Sequence, residues 1–344
     1  MKNWLSRRDL SMILAFLSLG CFLAASVALQ LGTAGTAAAF ERKSLKPAIV
    51  LAAFGTTEVE ALKSILNIKS RVAAAFPDYD VHLAFTSNII RDIWRGRAAD
   101  PQFRKANPTI PAEIYDIKNA MTVLANIQED GARLLLVQSL HVTDGEEYGD
   151  LAGLVKALDS YDTMKPVLKP FPWIGVGAPA LGTGDGEAKY LDRAVTALAP
   201  LARAAQDANA SLVLMGHGNE HLTQKAYSRL QAALRKAYGP NVYIGTVEAP
   251  PHAPEIVAAI QKVADAPTNV YMAPLMVVAG DHARNDMAGD EEDSWASIFK
   301  AAGFNVTCHL EGLGSNDSWA DIYVEHLKLI EPVVQAKKAK DDVE

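Results

Sequence analysis

The chain has 344 residues, 49% of them hydrophobic and 21% charged, with 33 Lys and Arg against 40 Asp and Glu for a formal net charge of −7. That length holds two ordinary domains with cores of their own, and the acidic balance excludes a nucleic-acid partner, which demands a basic footprint. With two cysteines in all, a disulfide framework is excluded as the source of stability.

The chain opens on a targeting pattern. Lys2, Arg7 and Arg8 precede an uncharged stretch, 10–40, that ends in Ala37-Ala38-Ala39 and Phe40. This is the layout of an export signal over residues 1–39, with cleavage near Ala39. Ser6-Arg7-Arg8-Asp9-Leu10 resembles a twin-arginine signal, and Sec export fits the same stretch. The alternative is an uncleaved anchor, because about 20 apolar residues span a bilayer. The expected location is the periplasm, with membrane contact only through this segment if it stays uncleaved. Cleavage would leave 30 Lys and Arg against 39 Asp and Glu, a net charge of −9, and Cys308 as the single thiol.

Apolar, β-rich runs follow at 48–54, 81–85, 134–140, 173–176, 212–215, 242–247, 270–278 and 304–310. Between most of them lie segments with helical spacing, such as 58–76, 188–208, 222–238 and 254–264. The alternation predicts an α/β fold with parallel sheets covered on both faces. The chain also repeats: residues 138–147 align without a gap to 273–282, and 52–56 parallel 214–218 in running from strand to glycine turn to helix. Two similar Rossmann-like β/α domains are expected, 40–180 and 181–344, with their strand ends facing a central cleft where ligands of open α/β sheets bind. The join falls in the glycine-rich stretch 175–186. Its opening Gly175-Val176-Gly177 lacks the third glycine of a dinucleotide fingerprint.

Two turns each deliver a histidine after an apolar run, Met215-Gly216-His217-Gly218 and Ala279-Gly280-Asp281-His282, and Glu248 ends the run between them. Two imidazoles and a carboxylate at neighbouring strand ends make a donor set suited to a borderline divalent metal. The alternative is a pair of ordinary strand-to-helix turns whose histidines bond the backbone. Gly216, Gly218 and Gly280 would let a flat, bulky ligand approach the main chain. His217 to His221 spells His-x-x-Glu-His, a zinc-protease motif that needs both histidines on one helical face. The flanking glycines put His217 on a turn instead and leave His221 to cap a helix or face solvent. Asp286, Asp290, Glu291, Glu292 and Asp293 either draw a cation towards the cleft or form a solvated surface. His82, His252, His309 and His326 read as structural. Met272 reads as core, and Met276 sits close enough to a strand end to touch a ligand.

Taken together, 137–141 with Gly145-Glu146-Glu147-Tyr148, then 215–218, 245–248, and 274–282 with Asn285-Asp286-Met287 and Asp293-Ser294-Trp295 resemble the anaerobic cobaltochelatases of cobalamin synthesis, the CbiK type of class II chelatase. The likeness runs over about 46–329. It implies a chelatase-like fold and ATP-independent insertion of Co(II), with Fe(II) as a second metal, into sirohydrochlorin or a related tetrapyrrole. It also implies metal ligation by His217, Glu248 and His282, with His217 and His282 catalytic: one imidazole presents the ion while the other takes a pyrrolic proton near neutral pH. Phe54, Gly55, Thr56, Leu140, His141, Gly218, Leu275 and Met276 would bind the macrocycle. The chain departs from the family in its export signal, in a basic segment over 91–111 and in the glycine-rich loop near Gly182. Export suggests an alternative, a periplasmic carrier of tetrapyrrole, haem or metal. An exposed His141, lacking a metal partner in its own half, would then be an axial haem ligand shared between subunits of a homo-oligomer; otherwise it hydrogen-bonds substrate carboxylates or backbone.

Overall fold

Every apolar run forms a strand, and all the pairings are parallel. β1 (Ala48–Ala53), β2 (Asp80–Phe85), β3 (Leu134–Ser139) and β4 (Trp173–Gly177) make one sheet in the order β2-β1-β3-β4. β5 (Ala210–Gly216), β6 (Val242–Thr246), β7 (Asn269–Pro274) and β8 (Asn305–Cys308) make a second in the order β6-β5-β7-β8. The computed structural model describes residues 47–165, 168–184, 188–219 and 225–341. Residues 1–39, read above as an export signal, and His221 lie outside the described residues, among which no helix is long and apolar enough to cross a membrane.

The central strands β1, β3 and β5 are buried at every position, as parallel strands with helices on both faces must be. Their continuous Val, Leu, Ile and Ala content follows from that double burial. The edge strand β8 alternates exposed and half-buried residues, and the free thiol of Cys308 lies there half-buried, its pKa raised by desolvation.

The repeat is structural. Identical strand orders make β1 the counterpart of β5, β2 of β6, β3 of β7 and β4 of β8, and the backbone bonds beyond the strand ends match pair by pair. Leu140 N donates to Ala52 O at 2.8 Å as Leu275 N does to Met215 O at 2.7 Å; Ser87 N donates to Phe54 O as Glu248 N does to His217 O; Ala180 N donates to His141 O as Leu313 N does to Met276 O. The aligned pair His141 and Met276 therefore occupies equivalent positions. The parallel between 52–56 and 214–218 shifts by one residue: Phe54 stands opposite His217, and Gly55 opposite Gly218, the two glycines sharing a left-handed φ of 101° and 88°.

The division at residue 180 does not hold for the ends of the chain. The final helix, α12 (Asp317–Asp341), packs on β3 and β4 and against α1 (Leu62–Ala75), returning to the first sheet. In the matching place α7 (Ala188–Ala197) packs on α9 (Lys225–Tyr238) of the second half. Each half thus lends the other a helix: the buried face of α12, with Trp319, Tyr323 and Leu327 at 0% exposure, packs mainly on the first sheet and α1, and also on α7. Gly175 and Gly177, expected in the joining loop, belong to β4, where a Cβ on Gly177 would come within 2.0 Å of the buried Gln138 side chain. The residues from Lys46 onward form one compact unit.

Candidate metal centre

The strand ends of both sheets open on one cleft of about 480 Å³, within the range of small-molecule sites. All eight residues expected to meet the macrocycle line it: Phe54, Gly55, Thr56, Leu140, His141, Gly218, Leu275 and Met276, as do His217 and His282. They contribute unequally. Phe54 is 45% exposed, whereas Leu140, Leu275 and Thr56 are at most 3% exposed and form the floor. Thr56 is occupied with its own turn: Oγ1 accepts from Glu58 N at 3.1 Å, and its carbonyl accepts from Trp94 Nε1 at 2.8 Å.

At the second-half end of the cleft stand His217, Glu248 and His282, each offering a ligand atom within 4.8 Å of the others. The imidazole rings meet edge to face with centroids 5.0 Å apart. His217 Nδ1 donates to Gly218 O at 3.0 Å, which leaves Nε2 with the lone pair. His282 Nδ1 bonds the Asp286 carboxylate in a close contact, so its Nε2 is likewise free to ligate. A carboxylate behind a metal-binding histidine fixes tautomer and ring orientation and raises its basicity. Asp286 is the one member of the acidic run that serves the site directly; Asp290, Glu291, Glu292 and Asp293 are exposed, a solvated surface. We expect Asp286→Asn to weaken Co(II) binding by about 10- to 100-fold with the fold unchanged. Titration of the visible Co(II) absorption checks this, and wild-type affinity in the variant would remove Asp286 from the site.

Several details depart from the sequence reading. His282 does not sit at a strand end. β7 stops at Pro274, and residues 276–278 form bends whose carbonyls Met276 O and Val277 O accept from Leu313 N and Gly314 N. His282 follows that loop and leads into the π-helical turn Ala283–Met287, the geometry that brings Asp286 back beneath its ring. The glycines at His217 answer to internal packing, not to a planar ligand: a Cβ on Gly216 would lie 2.9 Å from the Tyr227 ring, and one on Gly218 2.6 Å from Thr246 Oγ1. Gly280 is the nearer fit to the original expectation, with Thr56 Oγ1 at 3.3 Å. Residues 217–219 are non-helical, which agrees with the exclusion of the protease motif.

His141 is not the exposed, solitary histidine expected. Its ring lies in the cleft wall, with Nδ1 bonded to Ser139 Oγ at 2.7 Å and Nε2 buried without a partner. Desolvation, opposed by the nearby Glu147 charge and reinforced by His217, pushes its pKa down to about 4. A haem ligand shared across subunits would need a nitrogen open to the outside, which this ring does not present. Three other histidines make structural contacts: His252 Nδ1 bonds Thr246 O, His326 Nδ1 bonds Ala178 O, and His309 stacks on Tyr271.

The sequence reading missed four contributors. Ile89 and Ile93, 73% and 39% exposed on α2 (Asn88–Ala98), line the cleft mouth; their spacing of four on one helical face was the available signal. Glu147, near the start of α6 (Glu146–Ser160), also lines the cleft. Ser87, the counterpart of Glu248, caps α2 by accepting from Ile90 N.

The family described as cobalt chelatase (CbiK) matches residues 47–331. The chain is 32% identical over 283 residues to the sirohydrochlorin cobaltochelatase CbiKC of Nitratidesulfovibrio vulgaris, covering 82% of this chain and 89% of that protein. It is 30% identical over 284 residues to the sirohydrochlorin cobaltochelatase of Salmonella typhimurium, covering 82% and 96%. Among solved structures, the sirohydrochlorin chelatase SirB from Bacillus subtilis subspecies spizizenii, in complex with cobalt, aligns over 82% of this chain and 94% of its own with a TM-score of 0.51 at 12% identity, a likeness of fold. A match that runs from β1 into the C-terminal helix takes in both sheets together with His217, Glu248 and His282, and on that evidence the chain belongs to the CbiK family of cobalt chelatases.

Proposed function

We propose that this protein inserts Co(II) into sirohydrochlorin without a nucleotide. The observation that carries the reading is the convergence of His217, Glu248 and His282 within 4.8 Å at one end of a cleft between two sheets. Two imidazoles and one carboxylate match a borderline divalent ion, and the carboxylate offsets part of its charge. Three protein donors leave further coordination positions open, so the ion is held firmly enough to be presented and loosely enough to be surrendered to four pyrrolic nitrogens. Phe54, Ile89 and Met276 supply apolar contact for the macrocycle. No Lys or Arg lines the cleft among the described residues, so the acidic substituents of the substrate would extend towards solvent while its ring enters.

The test is absorbance of sirohydrochlorin mixed with the chain from residue 40 onward and Co(II), in the absence of ATP. Enzyme-dependent metallation is expected, and a parallel run with Fe(II) measures the second metal. Absence of insertion with either ion would leave a tetrapyrrole or metal carrier in its place. The export pattern of residues 1–39 supports a periplasmic setting; cell fractionation with N-terminal sequencing of the mature protein is expected to find it there, cut near Ala39.

A further inference from the structure

The three metal-binding side chains are not held alike. His217 follows β5 directly, and Glu248 N donates to its carbonyl at 2.9 Å, so two of the donors are tied to each other and to a buried strand. His282 stands well beyond the end of β7 at Pro274 and opens the π-helical turn Ala283–Met287. Asp286 fixes the ring on that turn, but the bond travels with the turn and does not place it.

What places the turn lies across the cleft floor. Gly280 and Arg284 bracket His282, and both reach the first half: a Cβ on Gly280 would lie 3.3 Å from Thr56 Oγ1, and Arg284 Nε lies 3.3 Å from Glu58 Oε2. Arg284 N donates to Gly280 O at 3.1 Å and closes the bracket. The first-half end is itself anchored. Glu58 N donates to Thr56 Oγ1, Trp94 Nε1 to Thr56 O and the Arg97 guanidinium to Thr57 O, with Thr56 and Trp94 buried. The same turn carries Phe54 and Gly55 on the cleft wall.

Resting on the chelatase reading above, we propose that the Glu58–Arg284 ion pair is a strap that sets the position of His282, and with it the ion, relative to a macrocycle seated on the first-half turn 54–56. Glu58 and Arg284 are positioning residues: neither lines the cleft nor belongs to the donor set. The side chains are each 37% exposed, and an ion pair so open to water adds little to stability. Its effect is on geometry. Arg284 Nε is buried without an aligned hydrogen bond, and Glu58 is the one ion-pair partner of Arg284 among the described residues, so neutralising Glu58 removes what holds the guanidinium across the floor. The three donors and Asp286 all belong to the second half, so Co(II) binding does not need the strap. Insertion does, because the ion must stand over four nitrogens held partly by the other half, and a displacement of about 1 Å can slow a reaction about 100-fold.

The test uses Glu58→Gln, Arg284→Met and the double variant in the mature chain. It measures Co(II) affinity by visible absorption, sirohydrochlorin affinity by fluorescence, and insertion in a single turnover. Each single variant should bind ion and tetrapyrrole within about threefold of wild type and insert metal about 10- to 100-fold more slowly. The double variant should be no slower than the singles, because its second substitution removes a contact already lost. Lys63→Met breaks another ion pair between the halves, Lys63 Nζ to Glu311 Oε1 at 2.8 Å, and should insert at the wild-type rate. Near-wild-type insertion by Glu58→Gln would overturn the proposal, as would slowing matched by an equal loss of Co(II) affinity, effects that multiply in the double variant, or equal slowing in Lys63→Met. Glu58→Gln is isosteric at a half-buried position, so it decides the matter even if Arg284→Met folds poorly. A wild-type chain that inserts no metal would remove the chelatase reading and the strap with it, an outcome distinct from active variants in an active background.

Discussion

Alanine at His217 or at His282 is expected to lower metal insertion by at least about 100-fold and to abolish tight Co(II) binding, while the protein stays folded. Each histidine supplies one of three donors, and removing either leaves an imidazole and a carboxylate, too few to hold a divalent ion in competition with water. Neither ring belongs to a hydrophobic core cluster; both are half-buried in turns beyond the strands, where truncation typically changes stability by less than about 0.5 kcal/mol. His309→Ala is the matched control, a half-buried ring that stacks on Tyr271 at the far edge of the second sheet, and it should retain activity. Turnover and Co(II) titration on the three variants, with thermal melts alongside, check the claim. Full activity in either His217→Ala or His282→Ala would show that the ion is held elsewhere.

Gly218→Ala should damage stability and metal binding together. At φ of 88° a side chain costs about 1–2 kcal/mol in backbone strain, and the added methyl group would come within 2.6 Å of Thr246 Oγ1 and 3.2 Å of Ala249 N. Relieving that overlap costs about 1–3 kcal/mol more, a large share of the roughly 5–15 kcal/mol that holds a domain together. The strain falls where it matters most. Thr246 Oγ1 bonds both the N–H and the carbonyl of Ala249 and so shapes the turn carrying Glu248, while Glu248 N donates to His217 O. One methyl group therefore pushes on two of the three metal-bearing segments. A lowered melting temperature with Co(II) affinity reduced at least tenfold is expected. Gly239→Ala, at an equally left-handed φ of 98° but with open space around its Cβ position, should cost stability alone and leave metal affinity intact. Equal metal affinity in wild type and Gly218→Ala would mean that the turn yields without moving its ligands.

The positions of all eight strands were legible in the amino-acid order, the central ones because parallel strands buried on both faces must be written as short, continuous β-branched and aliphatic runs. The doubled architecture was legible too, since equivalent turns keep equivalent glycines and acids. His217, Glu248 and His282 stood out together because each follows an apolar run closely, and two imidazoles with a carboxylate make a donor set for a divalent ion. What lay beyond the sequence depended on contacts between segments far apart in it. The run 275–278 is as apolar as a strand but is cleft-lining loop, and hydrophobicity alone cannot tell one apolar surrounding from another. The return of the C-terminal helix to the first sheet reflects where its apolar stripe finds a complementary surface, a property of two surfaces and not of one segment. The burial of His141 comes from that return, through Tyr323, and from the closing of two sheets over a shared cleft. The order of residues determined the elements, the repeat and the candidate donors; packing of the halves against each other decided which side chains gather at the candidate metal centre, which line the wall, and which lose their water.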